Sequence, residues 1–228
     1  MRLLLISSSN VHGHGYLDHP APAMRAFLGD ARRVAFVPFA AHDHDAYTAK
    51  VRERLSRMEL DVISIDDLDH ADAIFVGGGN TFRLLKTLYD RDLLNAIRDR
   101  VRAGLPYLGS SAGTVIAAPT MQTTNDMPIV EPPSFAALGL IDFQINPHYL
   151  DPDPHSTHRG ETREERIREY LEENEGPVVG LREGSIIRVE DNVITLLGEK
   201  TARLFRRGPE PIEIEPGLIS VPSASSAD

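Results

Sequence analysis

"LPYLGSSAGT", residues 105–114, runs from an apolar stretch through five small residues toward a helix-forming segment. The apolar part has the length of a buried strand, and the small residues leave room for a sharp strand-to-helix turn. Four earlier runs share the apolar character: "RLLLIS" (2–7), "RVAFVPF" (33–39), "LDVISI" (60–65) and "DAIFVGGG" (72–79). Helical spacing lies between them. Tyr47, Val51, Leu55 and Met58 share one face over 45–58, and Leu94, Ile97 and Val101 share one over 92–104, where Gly104 is placed to end the helix. Strands buried on both faces and separated by helices predict a three-layer α/β fold. Its sheet should be mostly parallel, with helices on both faces and right-handed crossovers.

The second half changes character. "TREERIREYLEEN" (162–174) predicts a helix with a Thr162–Glu165 capping box and a buried stripe of Ile167, Tyr170 and Leu171. From Gly176 to Gly208 short strands alternate with turn residues, including a hairpin at "VEDNVI", and predict a C-terminal β meander. A single α/β domain is expected over residues 1–218, followed by a small, polar, disordered tail over 219–228.

Composition narrows the partners. The 228 residues carry a formal net charge of −10, which argues against a nucleic-acid or anionic-membrane binder. An acidic substrate would therefore need a local cation. No apolar run approaches the roughly 18–20 residues that span a bilayer. "RLLLIS" is too short for a signal-peptide core, so a cytoplasmic location is expected. With no cysteine, a thiol nucleophile and thiolate metal sites are excluded.

In a parallel sheet, ligands bind beyond the carboxyl ends of the strands. Those ends carry Gly77, Gly78 and Gly79, Ser110 and Ser111, His148, and Glu183, with Asp126 in the loop "TTNDMPIVEPP". "GSSAG" fits the G-x-S-x-G nucleophile elbow, and only Ser111 has a glycine two residues away on each side. The same pentapeptide also fits a purely structural turn. "GGGNT" fits a phosphate-binding turn, half of an oxyanion hole, or a plain strand–helix turn, and it lacks the lysine of a P-loop. The pairs His12/His14 and His42/His44 have a metal-like spacing but equally suit solvated loops, and no metal is expected. Arg163 opposes the dipole of its own helix, which suits either a solvated residue or a cation facing a substrate carboxylate.

Taken together, "GGGNTFRLLK", "GSSAGT", "PTMQTTNDMPIVEPPSF", "INPHY", "GETREERIREYL" and "GLREG" resemble the peptidase E family of α-aspartyl dipeptidases. Cyanophycinases share the serine elbow, and the fold is similar to that of glutamine amidotransferases. The resemblance implies a serine peptidase that needs no metal or organic cofactor and releases the N-terminal aspartate of Asp-Xaa dipeptides. The alternative is a cyanophycinase-like or other acidic-peptide hydrolase; from another class, a non-catalytic anion-binding module. By the same resemblance Ser111 is the nucleophile and His148 the base, with Glu183 orienting it and Asp126 competing for that role. Gly78, Gly79 and Ala112 would form the oxyanion hole. Asn80, Arg163, Thr162, His158 and Glu161 would bind substrate, with Glu161 orienting Arg163. A homodimer is also implied. Ser110 departs from the family, where a bulkier residue such as tryptophan is expected, and so does the loop "LDPDPHSTH" (150–158).

Overall fold

Strand β1 (Arg2–Ile6) sends Leu3 and Leu5 into one layer and Leu4 and Ile6 into the other. Side chains in a strand alternate between its faces, so a run this apolar must be covered twice. The computed structural model, which describes residues 1–152, 155, 157 and 160–222, shows how. Strands β2 (Arg33–Val37), β3 (Asp61–Ser64), β4 (Ala73–Val76) and β5 (Tyr107–Ser110) join β1 in a parallel sheet ordered β1-β5-β4-β2-β3. Helices α1 (Ala21–Leu28) and α2 (His44–Ser56) cover one face through Met24, Phe27, Val51 and Leu55. Helices α3 (Thr81–Asp90) and α4 (Leu93–Arg102) cover the other through Leu84, Leu88, Leu94 and Ile97. Gly104 follows α4 at φ +113° and ends it as the sequence predicts. Helix α5 (Ala112–Val115) is a single turn.

The C-terminal strands divide between two sheets instead of forming one meander. Strand β6 (Gln144–Tyr149) and helix α6 (Arg163–Glu173) precede them, and α6 has the expected capping box. Strands β8 (Ile186–Glu190), β9 (Val193–Leu197) and β12 (Gly217–Ile219) run antiparallel and extend the main sheet outward from β1. The "VEDNVI" hairpin joins β8 to β9 with Asp191 and Asn192 both left-handed, as a tight turn between right-twisted strands requires. Strands β7 (Val178–Arg182), β10 (Ala202–Phe205) and β11 (Ile212–Ile214) make a second sheet with β6, in the order β11-β10-β7-β6. The second sheet buries Ile145, Val179, Leu181 and Leu204 in the core shared with α3 and α4. Its other face meets Ile167 and Leu171 of α6. Ile219, assigned to the tail from sequence, belongs to β12 and pairs with Ile194 of β9. No helix among the described residues is long and apolar enough to cross a membrane.

Candidate active site

The turn after β5 is tight for identifiable reasons. A Cβ at Gly109 would lie 2.5 Å from the Gly113 carbonyl oxygen, and one at Gly113 would fall on the carbonyl of Val76. Both elbow glycines are therefore sterically required. Between them Ser111 has φ +52° and ψ −108°, a conformation an L-residue holds at a cost of about 1–3 kcal/mol. The surroundings enforce it: Ser111 N–H donates to Ile6 O at 3.0 Å, and the Thr114 hydroxyl donates to Ile6 O and Gly109 O. Ser110 is fully buried, and its hydroxyl has no hydrogen-bond partner among the described residues.

His148 comes from the second sheet. A register shift between Pro147 and Tyr149 bulges β6, and His148 sits on it at φ +54°. Its N–H donates to the Ser7 hydroxyl at 3.0 Å, and that hydroxyl donates to Leu181 O at 2.8 Å. Asn125 Nδ2 donates to Pro147 O at 2.9 Å. The ring so held lies with Nε2 2.8 Å from Ser111 Oγ and Nδ1 2.7 Å from Glu183 Oε1. A carboxylate at Nδ1 keeps the ring proton there, leaving the Nε2 lone pair to accept the serine proton.

Asp126 does not touch the histidine. Its Oδ2 accepts from Thr81 N–H at 2.7 Å, the Thr81 hydroxyl at 2.6 Å and the Thr124 hydroxyl at 3.1 Å. It is anchored at the N-terminus of α3, where a negative charge meets unpaired backbone N–H groups.

Several expected binding residues have other partners. Asn80 caps α3, its Oδ1 accepting from Arg83 N–H and its Nδ2 donating to Met127 O. The Thr162 hydroxyl accepts from Glu165 N–H in the α6 cap. Glu161 pairs with Arg166 at 3.4 Å, so it does not orient Arg163. Gly78 N–H, expected in the oxyanion hole, instead donates to the Tyr47 hydroxyl at 2.9 Å. His158 lies outside the described residues.

A cleft of about 680 Å³ opens beside His148 and Glu183, and three cations line it: Arg163, Arg182 and Lys200. Arg182 is held by Asp151 at 2.7 Å and Glu213 at 2.8 Å. Arg163 and Lys200 have no ion pair among the described residues. Of these two only Arg163 is half-buried. Burial, then the neighbouring Arg166 charge, pulls its guanidinium below the usual value, against the attraction of Asp126. It remains cationic at neutral pH, because guanidinium does not deprotonate in proteins.

Ser7 and Tyr47 escaped the sequence reading. Ser7 is one of three consecutive serines with nothing to distinguish it. Tyr47 does lie on the buried face of α2, packed edge-on to Phe36, but periodicity carries no sign that its hydroxyl reaches Gly78.

A serine hydroxyl, a histidine and a carboxylate in hydrogen-bonded sequence, on a turn whose backbone is strained, define a hydrolase with a serine nucleophile. The sequence model of peptidase family S51 matches residues 3–197, and the chain belongs to that family. A Streptomyces coelicolor protein named "Peptidase E" is 59% identical over 224 residues, covering 95% of this chain and 92% of that one. A Drosophila melanogaster protein named "Probable alpha-aspartyl dipeptidase" is 49% identical, covering 94% of this chain and 93% of the relative. The crystal structure of a peptidase from an acI-B1 actinobacterium superposes with a TM-score of 0.70 at 15% identity, covering 96% of each chain, and bears out the fold.

Proposed function

We propose that this chain is a serine-type dipeptidase that releases the N-terminal aspartate of Asp-Xaa dipeptides through an acyl-enzyme intermediate. Ser111 Oγ attacks the scissile carbonyl as His148 Nε2 takes its proton, and Glu183 holds the imidazolium that forms. Gly79 and Ala112 N–H groups face the developing oxyanion. The helix dipole contributes little, because α5 is a single turn. His148 then protonates the leaving amine, which departs and leaves an aspartyl ester on Ser111. Water, deprotonated by the same ring, attacks the ester and frees aspartate and the serine hydroxyl. Arg163 takes the β-carboxylate of the substrate. A half-buried cation left without its anion is unfavourable, which rejects neutral side chains.

The observation that carries this reading is the unbroken contact Ser111–His148–Glu183 beside a half-buried Arg163 that lacks a carboxylate partner among the described residues. The test offers purified protein Asp-Leu, a longer Asp-initiated peptide and β-linked aspartyl-arginine at neutral pH. Hydrolysis of Asp-Leu is expected. Cleavage of only the β-linked substrate would transfer the chain to the cyanophycinase-like alternative. The same reading carries a homodimer working in the cytoplasm, which light scattering of the pure protein and fractionation of host cells test.

A further inference from the structure

A second cleft, of about 320 Å³, shares only His148 with the cleft of Arg163. Ser111, Gly78, Gly79, Tyr16, Tyr47 and Lys50 line it. Lys50 Nζ stands 4.1 Å from the centroid of the Tyr16 ring, and among the described residues it has no ion pair. Of the three lysines, Lys86 is paired with Asp90, and Lys200 belongs to the other cleft. A cation with no ion pair among the described residues, lining the same cleft as Ser111, is notable in a chain with 34 acidic residues.

Its support is built. Tyr16 O–H donates to the Tyr47 hydroxyl at 3.4 Å, and that hydroxyl accepts the Gly78 N–H. The platform under the ammonium is thereby tied to the glycine turn. Burial raises both phenols above their ordinary value, Tyr16 well above it, so neither becomes an anion that would neutralise Lys50.

We propose that Lys50 binds the α-carboxylate of the leaving amino acid and so makes the enzyme prefer dipeptides to longer chains. The inference rests on the dipeptidase reading above. A dipeptide places its terminal carboxylate about one residue, roughly 3.3–3.6 Å of chain, beyond the scissile carbonyl. That carboxylate must therefore lie near Ser111 on the leaving-group side. The two cations suit two different carboxylates. A planar guanidinium, half-buried, suits the fixed β-carboxylate, whereas a mobile ammonium point charge tolerates leaving residues of varied shape. A longer peptide or an amide presents a neutral group at this place and forgoes the ion pair.

The experiment measures kcat/KM for Asp-Leu, Asp-Leu carboxamide and Asn-Leu with the parent, Lys50→Met and Lys50→Arg, alongside thermal melts. Methionine keeps an unbranched stem over Tyr16 without the charge. The parent is expected to favour Asp-Leu by about tenfold. Lys50→Met should bring that ratio to about one, acting through KM, and Lys50→Arg should restore most of it. A ratio unchanged in Lys50→Met overturns the proposal, as does an equal loss on both substrates. So does a variant that instead loses the preference for Asp-Leu over Asn-Leu, which would move Lys50 to the β-carboxylate. Failure of the parent to cleave Asp-Leu at all would overturn the dipeptidase reading itself, and this inference with it.

Discussion

Ser111 Oγ and His148 Nε2 lie 2.8 Å apart, yet each residue has a positive φ, and the one follows β5 of the main sheet while the other lies in β6 of the second. Two strained positions meet because Ser7 and Ile6, at the end of β1, hold both backbones. Ile6 O takes the Ser111 N–H, and the Ser7 hydroxyl takes the His148 N–H. The end of the central strand thus sets the distance between the serine hydroxyl and the imidazole.

The first consequence concerns the paired serines. Ser111→Ala should lower kcat by at least about 10⁴-fold without changing the fold. Ser110→Ala should keep activity within about twofold. It should also raise stability by up to about 1 kcal/mol, because the buried Ser110 hydroxyl has no hydrogen-bond partner among the described residues. Steady-state kinetics and thermal melts read both, and a dead Ser110→Ala enzyme would sink the elbow assignment.

Glu183 and Asp126 should separate cleanly. Glu183→Gln should lower kcat by about 10²-fold or more, since an amide at Nδ1 no longer stabilises the imidazolium. Asp126→Ala should chiefly destabilise the start of α3, by about 1–2 kcal/mol, through loss of the contacts to Thr81. Comparable kcat losses in the two variants would contradict this division of roles.

Arg163→Gln should lower kcat/KM for Asp-Leu by about 10- to 100-fold and leave little preference over Asn-Leu. The Asp-Leu to Asn-Leu ratio is the measurement. If it survives the substitution, another cation reads the aspartate.

The Arg182 cluster carries a pH signature. Side-chain hydrogen bonds from Arg182 hold the Asp151 and Glu213 carboxyls below their ordinary values of 3.8 and 4.5. Depressed carboxylates contribute stability that is present above those ordinary values and is lost as pH falls through the lower folded ones. Arg182→Gln should therefore be less stable than the parent at neutral pH. The two should converge in acid, below the range of pH 3.8 to 4.5. Denaturant melts at a series of pH values would show it, and a gap that persists in acid would refute it.

Much of the fold was legible because its causes are local. Alternating burial in β1, the capping box of α6, the glycine after α4 and the Asp191–Asn192 turn each depend on residues within a few positions of one another. The elbow turn was legible for the same reason, since the clashes a Cβ would meet at Gly109 and Gly113 bracket Ser111 on its own turn. The division of the C-terminal strands was not. β7 and β8 are adjacent in sequence and alike in pattern, and only the partners available to each, β6 and β1, place them in different sheets.

By itself the sequence determined the strand–helix alternation, the elbow and the residue types that could surround it. Steric and capping constraints act over a few residues and leave their mark in spacing. Tertiary structure alone decided the partners. It brought Glu183 rather than Asp126 to His148, gave Glu161 to Arg166, turned Gly78 N–H toward Tyr47 and set Lys50 over Tyr16. A carboxylate or an ammonium carries the same charge wherever it stands. Which opposite charge or ring it meets depends on chain segments tens of residues away, brought together only by burial of the shared core.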